Sequence, residues 1–63
     1  MADLEKFITL IQHRSYVRAI TELEKFIKKN KTNTKALDLL ALAYQYNSNF
    51  SKSLEIYKKL LKI

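Results

Sequence analysis

The chain contains no cysteine, no glycine and no proline, and it has a single histidine. Each absence removes a class of structure or chemistry. Without cysteine there is neither a disulfide framework nor a thiolate metal site, two of the usual supports of a small domain. His13 alone cannot build a zinc site without several well-placed carboxylates. Without glycine there is no Gly-rich phosphate loop. A β-protein of this size would have only asparagine for turns that require positive φ. An all-helical chain is expected before any period is counted.

Long apolar runs are also missing. No segment approaches the ~20 residues of a membrane span, and the opening "MADLEKF" is acidic and mixed, unlike a secretory leader. A cytoplasmic protein with no membrane span is expected. The triplets Asn30-Lys31-Thr32 and Asn49-Phe50-Ser51 match the glycosylation pattern but carry no weight there. Acidic charge is scarce: 12 Lys and Arg stand against 6 Asp and Glu, leaving +6 over 63 residues. That balance favours acidic partners, from nucleic acid to anionic lipid to acidic protein segments, without choosing among them.

What is present is periodic. Leu4, Phe7, Ile8 and Ile11 fall at i, i+3, i+4 and i+7, one face of a helix. Tyr16, Ala19, Ile20, Leu23, Phe26 and Ile27 form a second such stripe, and Leu37, Leu40, Ala41 and Tyr44 a third. Phe50, Leu54, Tyr57, Leu60 and Leu61 form a fourth. The breaks between them are polar. Ser15, then Asn33 or Thr34, then Asn49 or Ser51 can cap the helices that follow. Lysines gather late in the second and fourth segments, where they oppose the negative end of the helix dipole. Glu24–Lys28 and Glu55–Lys59 are i,i+4 pairs in the favourable orientation.

The pattern repeats. The second and fourth segments match at an offset of 34 residues, whereas the first and third align better at 33. The first helix-to-helix turn is therefore expected to be one residue shorter than the second. A period of this length is the signature of stacked helical hairpins.

In Leu37, Leu40-Ala41, Tyr44, Phe50, Ser53 and Tyr57 the second half resembles a tetratricopeptide repeat (TPR). The first half is a looser match through Leu4, Phe7-Ile8, Ile11, Tyr16, Ala19 and Leu23. Departures are Ile8 where the family prefers a small residue, Phe26 and Leu60 where alanine is usual, and Lys31 where proline ends a repeat. The resemblance implies an all-α fold of two stacked antiparallel hairpins, residues 3–30 and 34–63, in a single TPR-like domain over 1–63. It also implies a protein-interaction role, with a groove for a peptide or helix on the inner faces of the first and third helices. The residues there are Ile8, Ile11, Lys35, Leu42, Gln45 and Tyr46. Lys35 would favour an acidic ligand. The polar clamp with which some members hold chaperone carboxylates is not visible, so chaperone binding is not carried over.

Such arrays need roughly three repeats and a polar closing helix. With two, the fourth helix is expected to leave Ile56, Leu60 and Ile63 in water. A few hundred Å² of bare apolar surface, at about 25 cal/mol per Å², forgoes several kcal/mol, comparable to the stability of a small domain. Self-association through that helix is expected, or membership of a longer repeat protein. A fragment or a unit designed to study stacking also fits the ending "KKLLKI".

No catalytic set is found. His13 has no nucleophile or carboxylate pair beside it in the pattern, and the acidic residues lie mainly off the apolar stripes. A protein that is not an enzyme and takes no metal or cofactor is expected. The alternative to protein interaction is nucleic-acid binding, through Lys25, Lys28, Lys29, Lys31 and Lys35 with a tyrosine stacking on a base.

Overall fold

The computed structural model describes residues 3–62, and all four apolar stripes are helices: α1 (Asp3–Gln12), α2 (Tyr16–Lys29), α3 (Thr34–Tyr46) and α4 (Phe50–Lys62). The described residues form a slab of 30 × 28 × 14 Å. Such a thin body leaves broad helix faces in solvent.

The central element is α3, which packs against α1, α2 and α4. Its sequence explains the position. Apolar residues run around most of its circumference, and Ala36, Leu37, Leu40, Ala41, Ala43 and Tyr44 are all buried. Three of these are alanines, which let neighbouring helices approach on more than one side. The core is completed by Phe7 and Ile11 from α1, Ala19, Ile20 and Leu23 from α2, and Ile56 from α4. Phe26 is a large residue where alanine was the norm of the resemblance. Its ring meets Phe7 edge-on, with centroids 5.6 Å apart.

Helix ends use asparagine and the left-handed region. Asn33 caps α3, its side-chain oxygen accepting from the Ala36 N–H at 3.1 Å. Asn49 accepts more distantly from the Lys52 N–H, at 3.4 Å. Ser15 precedes α2 but makes no side-chain capping bond. Arg14 (φ 62°) and Ser48 (φ 64°) both adopt the left-handed conformation. Around each, two reversed bonds close the preceding helix: Arg14 N–H to Ile11 and Ser15 N–H to Leu10, then Ser48 N–H to Gln45 and Asn49 N–H to Tyr44. This is a Schellman end built without glycine.

Those two ends correct the expected turn lengths. Arg14 and Ser48 lie 34 residues apart, and residues 13–15 and 47–49 are connections of equal length. The repeat is therefore uniform at 34. Phe7, not Ile8, stands in the place of Ala41, and Ile8 is exposed. Adjacent apolar pairs in α1 (Phe7-Ile8, Leu10-Ile11) satisfy a helical period in two registers, so the apolar pattern by itself does not fix the repeat offset.

A second correction concerns α4. Ile56 is only 7% exposed and belongs to the core, Leu60 is half-buried against it, and Ile63 lies outside the described residues. The inward stripe is Ser53, Ile56, Tyr57 and Leu60. Ser53 matches the buried Ala19 of α2 as the small residue of close approach. The bare side of α4 carries Phe50 (65% exposed), Leu54 (55%) and Leu61 (88%) instead.

Candidate functional site

Two surfaces combine exposed apolar side chains with a defined shape. The first is a shallow groove of about 380 Å³, bordered by Ile8 and Ile11 of α1, Tyr16 at the start of α2, and Leu39, Leu42 and Tyr46 of α3. Four of the six residues assigned to a groove by sequence meet here. Lys35 and Gln45 do not line it, although both are exposed. Leu39 joins at one helical turn from Leu42, with Tyr46 a further turn on. Tyr16, on the apolar stripe of α2, is half-buried at the rim, where its ring stacks on Tyr46 with centroids 5.6 Å apart. The pairing fixes two rings while leaving Tyr46 53% exposed. A rigid aromatic with one free face loses little side-chain entropy on contact, which suits it to anchor a partner.

The second surface is the outer side of α4. Phe50, Leu54 and Leu61 sit at i, i+4 and i+11, three points of one stripe. The uniform repeat makes their counterparts in α2 explicit: Tyr16, Ile20 and Ile27. Those are half-buried, buried and half-buried. The difference has a simple origin. Among the described residues α2 has two neighbouring helices, α1 and α3, and α4 has only α3.

The opposite end of the stack is polar. Lys6 and Thr9 of α1 stand 34 residues before Leu40 and Ala43 of α3, two residues buried by neighbouring helices. Lys6 and Thr9 are exposed, and the Thr9 hydroxyl donates back to the Glu5 carbonyl at 2.9 Å. The Lys6 ammonium lies 5.4 Å from the centre of the Phe7 ring. One end of the repeat is thus finished with polar groups and the other is apolar.

One part-buried polar contact stands out. The Tyr44 hydroxyl donates to the Glu24 carboxylate, joining α3 to α2. Burial, then this bond and the charge of Glu24, and last Glu55, push the phenol up to about 12. Joining two helices across a part-buried contact, the bond is a structural link. Among the described residues no three His, Asp or Glu side chains gather to hold a metal ion, and no helix is long and apolar enough to cross a membrane.

No protein-family model, curated protein or solved structure was found to match the chain.

Proposed function

We propose that this chain is a protein-interaction module of the TPR type, which docks helical partners on the outer side of α4 and a peptide or helix in the Tyr46 groove. The observation that carries the reading is the contrast between Leu54 and its counterpart Ile20: 55% exposed in α4, 9% in α2. A large aliphatic stands at this repeat position in both helices and is covered in α2, which packs against both α1 and α3. The outer side of α4 therefore has the composition of a packing face rather than of a solvated one.

A second copy of the chain is the occupant that fits best. The polar finish of α1 disfavours head-to-tail stacking, because Lys6 and Thr9 would replace the leucine and alanine that α3 presents. Pairing α4 with α4 instead gives a closed, self-complementary contact that ends at two copies. The charge of +6 per copy opposes association at low salt and is screened as salt rises.

Light scattering on the wild type and on Leu54→Glu tests this. The expected result is a dimer mass for the wild type at about 100 µM and a folded monomer for the variant, since a carboxylate buried in the contact is costly. Equal masses for the two would remove the proposal. For the groove, Tyr46→Ala and Leu42→Ala that leave partner capture unchanged in a folded protein would show it to be misplaced.

A further inference from the structure

A third surface lies on neither of those faces. Among the described residues α2 and α4 flank α3 without touching one another, and the gap between them is an open cleft of about 900 Å³. Its apolar part is Ile27, Leu37 and Leu40. Leu37 and Leu40 are almost wholly buried, which makes them a floor rather than a rim. Around it stand Lys25, Lys28 and Lys31 from α2 and the turn after it, and Lys59 and Lys62 from α4.

The charge there is unbalanced. Glu24 is the one acidic residue of the lining, and its carboxylate already accepts the Tyr44 hydroxyl. The C-termini of α2 and α4 each contribute about half a negative charge. Five ammonium groups therefore keep a surplus of roughly three positive charges after the lysines have offset both helix dipoles. Offsetting the dipoles accounts for some of these lysines, not for all five converging on an apolar floor.

We propose that this cleft docks an acidic amphipathic helix of a partner protein, its apolar stripe on Ile27, Leu37 and Leu40 and its carboxylates against the lysines. The size agrees, because about two turns of a helix roughly 10 Å across occupy a volume close to that of the cleft. Nucleic acid is a poorer match. The lining holds no aromatic ring on which a base would stack and no arginine to read one in bidentate fashion. A flat bilayer would meet the lysines without reaching the recessed leucines. The surface is separate from the outer side of α4, since Leu54 and Leu61 do not line it, so the two readings fail independently.

The test uses a fluorescein-labelled synthetic helical peptide of about four turns, with leucines along one stripe and glutamates elsewhere, titrated by fluorescence anisotropy. Binding is expected to weaken about tenfold or more in Lys28→Glu/Lys59→Glu. It should change by less than about twofold in Arg18→Glu/Lys52→Glu, which alters the net charge equally but away from the cleft. A scrambled peptide of the same composition should also bind about tenfold or more weakly, because it has no continuous stripe for the floor. Circular dichroism confirms that each variant is folded, and Lys31→Glu/Lys62→Glu replaces the first pair if it is not. Equal weakening in the two variant pairs, equal binding of the scrambled peptide, or tighter binding of a single-stranded RNA oligomer or phosphatidylserine vesicles would overturn the proposal.

Discussion

Helices α2 and α4 share part of an apolar pattern in different surroundings. Position for position they share a small buried residue (Ala19, Ser53), a flanking aliphatic (Ile20, Leu54) and a late pair of large apolar residues (Phe26-Ile27, Leu60-Leu61). In α2, which packs against α1 and α3, Ile20 is buried and Ile27 half-buried, whereas in α4, which packs against α3 alone among the described residues, Leu54 and Leu61 are exposed. At these two positions the residues are alike and the neighbouring helices differ, so burial there follows the neighbours. In a helical repeat each unit carries apolar residues on both of its sides, so a side without a neighbour among the described residues is left apolar and exposed.

The same comparison sets the largest expected effect. Ile20→Ala opens a cavity at a buried site and should lower stability by about 2–4 kcal/mol. Leu54→Ala at the matching exposed site should cost less than about 1 kcal/mol in the isolated monomer. Urea denaturation of both variants, made in a Leu61→Glu background to keep the protein monomeric, measures the difference. Similar costs at both positions would mean that the two helices are equally covered.

Tyr44 supplies a contrast of middle size, since its repeat counterpart in α1 is Leu10, which has no group to ionise. The phenol is raised from the ordinary 10.0 to about 12 in the folded state. A raised folded value stabilises fully below the unfolded value, and that contribution is lost as pH climbs from about 10 to about 12. Tyr44→Phe should therefore cost about 1 kcal/mol at neutral pH by removing the bond to Glu24. It should also flatten the fall in stability across the alkaline range. Thermal melts between pH 7 and 12 that show the same alkaline slope in both proteins would assign that slope to other groups.

The smallest effect belongs to the matched turns. Arg14 and Ser48 hold positive φ at a position where glycine carries no steric cost. Arg14→Gly and Ser48→Gly should each raise stability by roughly 0.5–1 kcal/mol. A gain in one and a loss in the other would show that the two ends are not equivalent.

Self-pairing through α4 and docking in the lysine cleft also differ in the sign of their salt response. Pairing of two +6 chains should tighten as salt rises, while capture of an acidic helix by the lysine cleft should weaken. Opposite trends in one set of titrations separate the two surfaces without any mutation.

Much of this fold was legible because its punctuation is local. Four stripes, the Asn33 cap and the polar breaks each follow from a few neighbouring residues. What misled was register. Six of the thirteen residues of α4 are large and apolar, namely Phe50, Leu54, Ile56, Tyr57, Leu60 and Leu61. They cover enough of the circumference that either of two faces can turn inward. Ser53 was the available signal: a small residue followed by Ile56, Tyr57 and Leu60 at i+3, i+4 and i+7 marks the face that α3 can approach. In α1 the doublets Phe7-Ile8 and Leu10-Ile11 hid the uniform repeat for a similar reason. The Tyr46 groove was partly legible, since Ile8, Ile11, Leu42 and Tyr46 meet while Lys35 and Gln45 do not line it. The lysine cleft was not legible as a site, because its two walls lie about one repeat apart in sequence. They share a surface only once α3 has packed between them.

The most direct test of the apolar end against the polar end is a dilution series of amide chemical shifts, recorded residue by residue by NMR. Concentration-dependent shifts are expected at Phe50, Leu54 and Leu61, with Lys6 and Thr9 unmoved. Shifts that do not change with concentration anywhere, or that change on α1 instead of α4, would contradict self-pairing through α4.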